Sequence, residues 1–449
     1  MQATPRSLVS IEDLSTGEIL ELFRHAEEFG ADITAWTHLC RGSIMATLFL
    51  EPSTRTRLSF ESAMQRLGGG VITVADATSS SQAKGESLAD TVRVVGGPYA
   101  DIVVIRHPDD GAARVAARYA RVPVINGGDG AHEHPTQTLC DLYTLWKEKG
   151  HLEGLDVVLC GDLRHSRTVH SFAYALARFR ANLVTIPYPG FEMPQHVLDR
   201  LRRDFGVHAS AASVGELSSL AGKENSVAYL TASRPHQLAL FTQPTTEQVQ
   251  HIDAIYMTRA QRERHAAEEV LRDDYPRLSG ESLRSALFKD VRVMHPLPRL
   301  DEISHELDDD PRAVYFRQAE LGVPIRMALM AFLLGQIRLD ASPPEHLAVQ
   351  AGLCFHAHGG LRCRNDRCVT NGYGGGHLVR DFRLVEETTA LLTCAYCDKE
   401  VRAPFVGNTQ TKEYVAAGSP AAARIRVDAR VYFVSEEQAT TAAYRPVGT

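Results

Sequence analysis

Residues Glu51-Pro52-Ser53-Thr54-Arg55-Thr56-Arg57 set hydroxyls and guanidinium groups side by side. They follow the apolar run Ile44–Leu50 and precede the helix-like run Leu58–Leu67, so a strand feeds a polar turn that opens a helix. A helix N-terminus carries unpaired N–H groups and a partial positive charge. Added to hydroxyls and a guanidinium, these make a phosphate cradle. The plainer alternative is a capped helix with surface arginines.

Further polar clusters share this strand-end placement. Ser79–Ser87 is a polar loop with one cation, Lys84; in isolation it reads as a solvated loop. Arg106-His107-Pro108 ends an apolar run. His134-Pro135-Thr136-Gln137 follows the turn-rich Asn126–Gly130, and Pro135 suits the first position of a helix. There His134 could donate to a carbonyl oxygen and Gln137 could accept from an amide nitrogen. Asp162–His170, Met257–Arg264 and His295-Pro296-Leu297-Pro298-Arg299 follow three more apolar runs. Their arginines suit two-pronged carboxylate recognition, although any one of them alone could be a solvated charge.

These motifs, in this order, resemble the aspartate and ornithine carbamoyltransferase family over about Ser7–Leu339. His295-Pro296-Leu297-Pro298 and the Lys84-Gly85-Glu86 loop resemble the aspartate branch. The resemblance implies transfer of the carbamoyl group of carbamoyl phosphate to L-aspartate, giving N-carbamoyl-L-aspartate and phosphate for de novo pyrimidine synthesis. It implies that Ser53, Thr54, Arg55 and Thr56 hold the phosphate, and that Thr56, Arg106 and His134 polarise the carbonyl. Gln137 and the backbone of Pro296 and Leu297 would orient the carbamoyl amide. Arg167, Arg259 and Gln261 would grip aspartate, and Glu51 would tie two lobes closed through Arg167 and Arg264. Ser80 and Lys84 would enter a neighbouring chain's site, which implies a homotrimer, with higher oligomers a further option. No catalytic cofactor is expected. The alternatives are a carbamoyltransferase for another amino acid and a non-catalytic assembly subunit. The segment from about Leu217 to Ile252 looks longer than the family's usual spacing, which favours a surface insertion or a reshaped second-substrate pocket.

The elements that must position these residues are legible as alternation. Apolar runs at Ile44–Leu50, Ile102–Ile105, Val122–Ile125, Val157–Cys160, Leu183–Ile186, Ala254–Met257 and Val291–Met294 alternate with helical patterns such as Thr136–Glu148 and Thr168–Phe179. This predicts an α/β fold of two doubly wound parallel-sheet lobes, 1–150 for carbamoyl phosphate and 151–339 for aspartate. A helix over about Val323–Ile337 closes them and could pack on the first lobe. Ligands in such folds bind at the carboxyl ends of strands, where the motifs sit.

A linker at 340–353 leads to a small β-rich domain at 354–449, with strand-like runs at Leu378–Val385, Ala390–Thr393 and Ile425–Val434. Five of the eight cysteines crowd there. Cys363-x4-Cys368 and Cys394-x2-Cys397 can each bite one side of a tetrahedral zinc site. Cys354, His356 and His358 are competing ligands, and unligated core cysteines are the plain alternative. The run Thr393–Glu400 resembles the zinc domain of the aspartate carbamoyltransferase regulatory chain, which implies structural Zn2+. The space between Leu339 and Cys363 is too short for that chain's nucleotide-binding domain.

Across 449 residues, 44% hydrophobic and 23% charged content mark an ordinary globular chain. A formal net charge of −7 argues against nucleic-acid or anionic-membrane partners. No apolar run reaches transmembrane length and no signal peptide is apparent, so the expected location is the cytoplasm.

Overall fold

The computed structural model describes residues 5–75, 85–164, 166–187, 190–211, 226–230, 254–258, 277–284, 288–344, 354–356, 361–372, 377–386 and 389–447. The first lobe runs α1 (Thr16–Ala31), β1 (Ile44–Phe49), α2 (Thr54–Arg66), β2 (Gly70–Val74), α3 (Leu88–Val95), β3 (Ile102–His107), α4 (Ala112–Tyr119), β4 (Val124–Asp129) and α5 (Pro135–Lys149). Its four strands are parallel, in the order β2-β1-β3-β4. The chain order reverses between β1 and β3, so a crevice opens beyond their carboxyl ends. Both faces of the central strands are buried, which accounts for their continuous apolar runs.

The second lobe continues with β5 (Asp156–Gly161), α6 (Arg167–Arg178), β6 (Asn182–Pro187), α7 (Gln195–Phe205), β7 (Ser210–Ala211), β8 (Ser226–Leu230), β9 (Ala254–Met257) and β10 (Arg292–Met294). These strands form a parallel sheet in the order β10-β9-β8-β5-β6-β7. Helix α8 (Tyr315–Leu333) returns to the first lobe and packs on α1, α2 and α5. One apolar core links α1, α2, α5, α6 and α8, so the lobes are not independent bodies.

The tail holds two small sheets. β11 (Cys354–His356), β12 (Asp381–Glu386), β13 (Leu391–Cys394) and β14 (Glu400–Arg402) pair antiparallel. β15 (Phe405–Asn408), β16 (Glu413–Ala416), α9 (Pro420–Arg424), β17 (Arg430–Phe433), α10 (Glu436–Thr441) and β18 (Arg445–Pro446) follow, with the second sheet ordered β17-β15-β16-β18. The outer face of the first sheet, α3, α4 and the cysteine turns share one apolar cluster. The tail is therefore welded to the first lobe rather than tethered beside it.

Some elements differ from the sequence expectation. The closing helix starts at Tyr315, eight residues before Val323, and carries Pro324 within it. Asn126-Gly127-Gly128-Asp129 extends β4 instead of forming a loop; Asn126 and Asp129 are buried and bonded to each other. Ile425–Val434 is strand only from Arg430, because a 3-10 turn at Val427–Ala429 precedes it. Short β2 and β8 had no expectation; Gly70 opens the first, and β8 lies within the long segment 217–252. Among the described residues no helix is long and apolar enough to cross a membrane.

Candidate active site and metal centre

A cavity of about 550 Å3 lies at the carboxyl ends of β1, β3, β9 and β10. It is lined by Glu51, Ser53, Thr54, Arg55, Thr56, Arg106, His134, Gln137, Pro296 and Leu297 from the sequence-derived set, joined by Thr168 and Thr258. Helix α2 begins at Thr54. Ser53 occupies its N-cap, but the hydroxyl makes no capping bond and donates instead to Thr56 Oγ1 at 3.0 Å. Arg55 faces the cavity, whereas Arg57 lies along the helix with Nε 3.6 Å from Glu61.

Arg106, 8% exposed, is fixed at the end of β3. Nη1 donates to the Gly127 carbonyl at 3.0 Å and Nη2 to Glu51 Oε1 at 2.7 Å, while Nε is buried without a partner. Glu51 thus meets a first-lobe arginine. The expected closure contacts to Arg167 and Arg264 fall outside the described side chains. His134 is the buried N-cap of α5, with Nδ1 3.4 Å from Thr136 Oγ1.

Sequence reasoning missed the polar frame behind the cavity. Asp141 Oδ1 accepts from Gln137 Nε2 at 2.7 Å and Gln318 Nε2 at 2.8 Å, and Oδ2 accepts from the Tyr256 hydroxyl at 2.9 Å. Burial raises the Asp141 pKa to about 7 against these three donors. Holding the Gln137 NH2 leaves its carbonyl oxygen as an acceptor toward the cavity. Gln318 Oε1 accepts from the His295 N–H at 2.9 Å. His295 Nε2 meets Glu302 at 2.9 Å, and Nδ1 accepts from the Leu297 N–H at 2.8 Å. Burial depresses the His295 pKa against the pull of Glu302, which fits a neutral ring donating from Nε2. Leu297 is held at φ +54, a left-handed conformation costly for a branched side chain, and this bond network maintains it. Arg326 also lines the cavity, buried, with Nη1 on the Gly322 carbonyl. The available signals were Asp141 one turn after Gln137 on an apolar helix and Arg326 alone in an apolar run. Arg299, by contrast, is structural: it pairs with Asp308 and the Tyr315 hydroxyl.

Backbone of Arg167 opens α6, but its side chain is not among those described. Ser80, Lys84, Arg259, Gln261 and Arg264 also lie outside the described residues, as does most of 217–252.

The sulfurs of Cys363, Cys368, Cys394 and Cys397 lie within 4.8 Å of one another, all buried. Cys363–Cys397 is 3.5 Å and Cys368–Cys394 3.8 Å. Four thiolates about 2.3 Å from a tetrahedral ion would stand about 3.8 Å apart, so the set fits a thiolate-bound metal. Four sulfurs fill a tetrahedral set; the side chains of Cys354, His356 and His358 lie outside those described.

Residues 6–147 match the family model for the aspartate/ornithine carbamoyltransferase carbamoyl-P binding domain, and 229–333 match the Asp/Orn binding domain. Residues 356–404 match the metal binding domain of the aspartate carbamoyltransferase regulatory chain. The chain is 44% identical over 337 residues to the aspartate carbamoyltransferase catalytic subunit of Clostridium botulinum, covering 74% of this chain and 98% of that one. Among solved structures it is similar to the catalytic subunit of M. jannaschii aspartate transcarbamoylase, at TM-score 0.59 and 39% identity over 74% of this chain and 98% of that one. It is also similar to the Trypanosoma cruzi enzyme in complex with carbamoyl phosphate and aspartate, at TM-score 0.60 and 34% identity over 73% and 96%. The chain therefore belongs to the aspartate/ornithine carbamoyltransferase family, on its aspartate carbamoyltransferase catalytic-subunit branch, with a regulatory-type metal-binding domain on the same polypeptide.

Proposed function

We propose that this chain transfers the carbamoyl group of carbamoyl phosphate to L-aspartate, with Ser53, Thr54, Arg55 and Thr56 on the phosphate. The observation that carries the reading is the convergence of this turn, Arg106, His134, Gln137 and the Leu297 backbone on one cavity. The unprotonated aspartate amine attacks the carbamoyl carbon, and negative charge builds on the carbonyl oxygen. Arg106, His134 and Thr56 stabilise it as fixed donors. The carbon–oxygen bond to phosphate then breaks, and the amine proton passes to a phosphate oxygen. Gln137 accepts from the carbamoyl NH2, while Pro296 and Leu297 hold its other side. Most of the acceleration comes from positioning.

Arg167, Arg259 and Gln261 bind the aspartate carboxylates in this reading, and Glu51 with Arg264 supports closure. Ser80 and Lys84 come from a neighbouring chain, so the active unit is a homotrimer working in the cytoplasm for pyrimidine synthesis. The cysteine centre holds structural Zn2+ in this reading, and metal analysis of the purified chain is expected to count one ion per chain. The domains are 1–150, 151–339 and 354–449, joined by 340–353. Turnover with carbamoyl phosphate against a panel of amino acids tests the acceptor. Arg55→Ala is expected to abolish transfer with the fold intact; near-normal turnover in that variant sinks the phosphate assignment.

A further inference from the structure

The metal-binding domain meets the loop that presents His134. Asp398 directly follows Cys397 and sits at φ +56, its N–H bonded to the Cys394 carbonyl at 3.1 Å. The cysteine turn therefore sets where its carboxylate points. That carboxylate is largely buried between Arg114 of α4, at 2.8 and 2.7 Å, and His132, whose Nε2 is 3.1 Å away. Arg383 of β12 pairs with it from the tail side, and Arg200 of α7 stands 3.9 Å off. His132 Nδ1 faces Asp129 Oδ2 at 3.2 Å. Asp129 in turn accepts from the Gly111 and Glu133 N–H groups.

The other cysteine turn grips the same loop. Asp110 exchanges backbone bonds with Arg367 and Val369, accepts from Asn365 Nδ2 at 2.8 Å, and accepts from the Ala131 N–H at 2.7 Å. Room for this docking depends on Gly111, the α4 N-cap at φ +85, where a Cβ would stand 2.6 Å from the Tyr396 backbone. Ala131 and His132 are thus held by groups of, or shared with, the metal-binding domain, three and two residues before His134 respectively.

We propose that Asp398 is a positioning residue for carbamoyl transfer: acting through His132, it holds the 129–134 loop so that His134 meets the carbonyl oxygen. The proposal rests on the role given to His134 above. Two guanidinium groups, of Arg114 and Arg383, meet the Asp398 carboxylate alongside the His132 ring, and Asp129 faces that ring's other nitrogen. His132, Glu133 and Asp398 are close enough to hold a cation. The guanidinium groups on Asp398 already balance its charge, and both His132 ring nitrogens face carboxylates, so the cluster acts as a clamp. A misplacement near 1 Å at a reacting group is worth about a hundredfold in rate.

The test compares the full-length, metal-loaded chain with Asp398→Asn and His132→Asn. Each is expected to lower kcat about tenfold or more with metal content and helical circular dichroism retained. The double variant should fall little further than either single one, because both act through one contact. Asp398→Glu should recover part of the rate. Unchanged kcat in the variants, with only a lower Tm, overturns the proposal in favour of a purely structural salt bridge. Where Asp398→Asn loses its metal, His132→Asn decides, since it leaves the cysteine turns their own bonds; wild-type kcat there also overturns it. His134→Ala separates the two readings. Undiminished turnover in His134→Ala removes the basis in the active-site assignment, whereas an impaired His134→Ala beside a normal Asp398→Asn refutes this inference alone.

Discussion

The substrate cavity and the Asp398 junction are both buried, both rich in arginine, and opposite in how their charges are used. In the cavity, Arg106 and Arg326 keep a buried Nε without a partner, and the Ser53 hydroxyl is not committed to capping its helix. At the junction, Arg383 Nε and Glu133 Oε1 are likewise buried without a partner, but the Asp398 carboxylate is met by Arg114, Arg383 and His132, and Arg200 is neutralised by Glu12 at 2.6 and 2.7 Å. Unspent donors are costly in a folded chain unless a ligand takes them up. Spent ones resist displacement. The first arrangement is suited to receiving an anion, the second to holding domains in register.

Variants that reverse these roles should separate activity from stability. The largest effect is expected at Arg106→Met, which removes the donor proposed above to stabilise the substrate carbonyl: kcat/KM should drop about 10²–10³-fold or more, with Tm little changed. A large Tm loss without loss of rate would mean that Arg106 is a structural strut like Arg299. Next is Arg114→Met, which leaves the Asp398 carboxylate with fewer partners in a buried site. Breaking such a pair costs about 3–5 kcal/mol, read as earlier unfolding or release of the tail in denaturant titration. An unchanged unfolding midpoint would show that the junction is solvated. The smallest is Glu133→Gln. Burial, with Glu12 adding to it, raises the Glu133 pKa to about 7 against the nearby His132 and arginines. Because the folded pKa lies above the ordinary one, the contribution is fully present below about pH 4.5 and is lost as pH rises through about 7. The Tm of Glu133→Gln relative to wild type should therefore climb from about pH 5 to about pH 8. A pH-independent difference would show that Glu133 stays ionised throughout.

Legibility followed chemistry. The phosphate turn, Arg106, His134 and the four cysteines could be read because each combines a residue type with a spacing tied to a strand end or a chelate bite. The Asp141–Gln318–His295 chain could not, since Asp141 and Gln318 lie 177 positions apart and meet only through the return of α8. The start of α8 was misplaced because Pro324 resembles a first-turn proline, yet packing on α1 and α2 carries the helix through it. β4 was cut short because Asn-Gly-Gly-Asp reads as a turn, while Asn126 and Asp129 satisfy each other inside the lobe.

Local order alone determined that this chain has a hydroxyl- and arginine-bearing turn at a helix start, parallel α/β lobes and paired cysteines, because these depend on residues close along the chain. Only the tertiary structure decided where the tail docks. That choice turns on a glycine at α4, a carboxylate beside a cysteine and a histidine between two acids, contacts spanning more than 260 residues of sequence. No periodicity marks such contacts; they exist because burying charge is tolerable only where its partners arrive together.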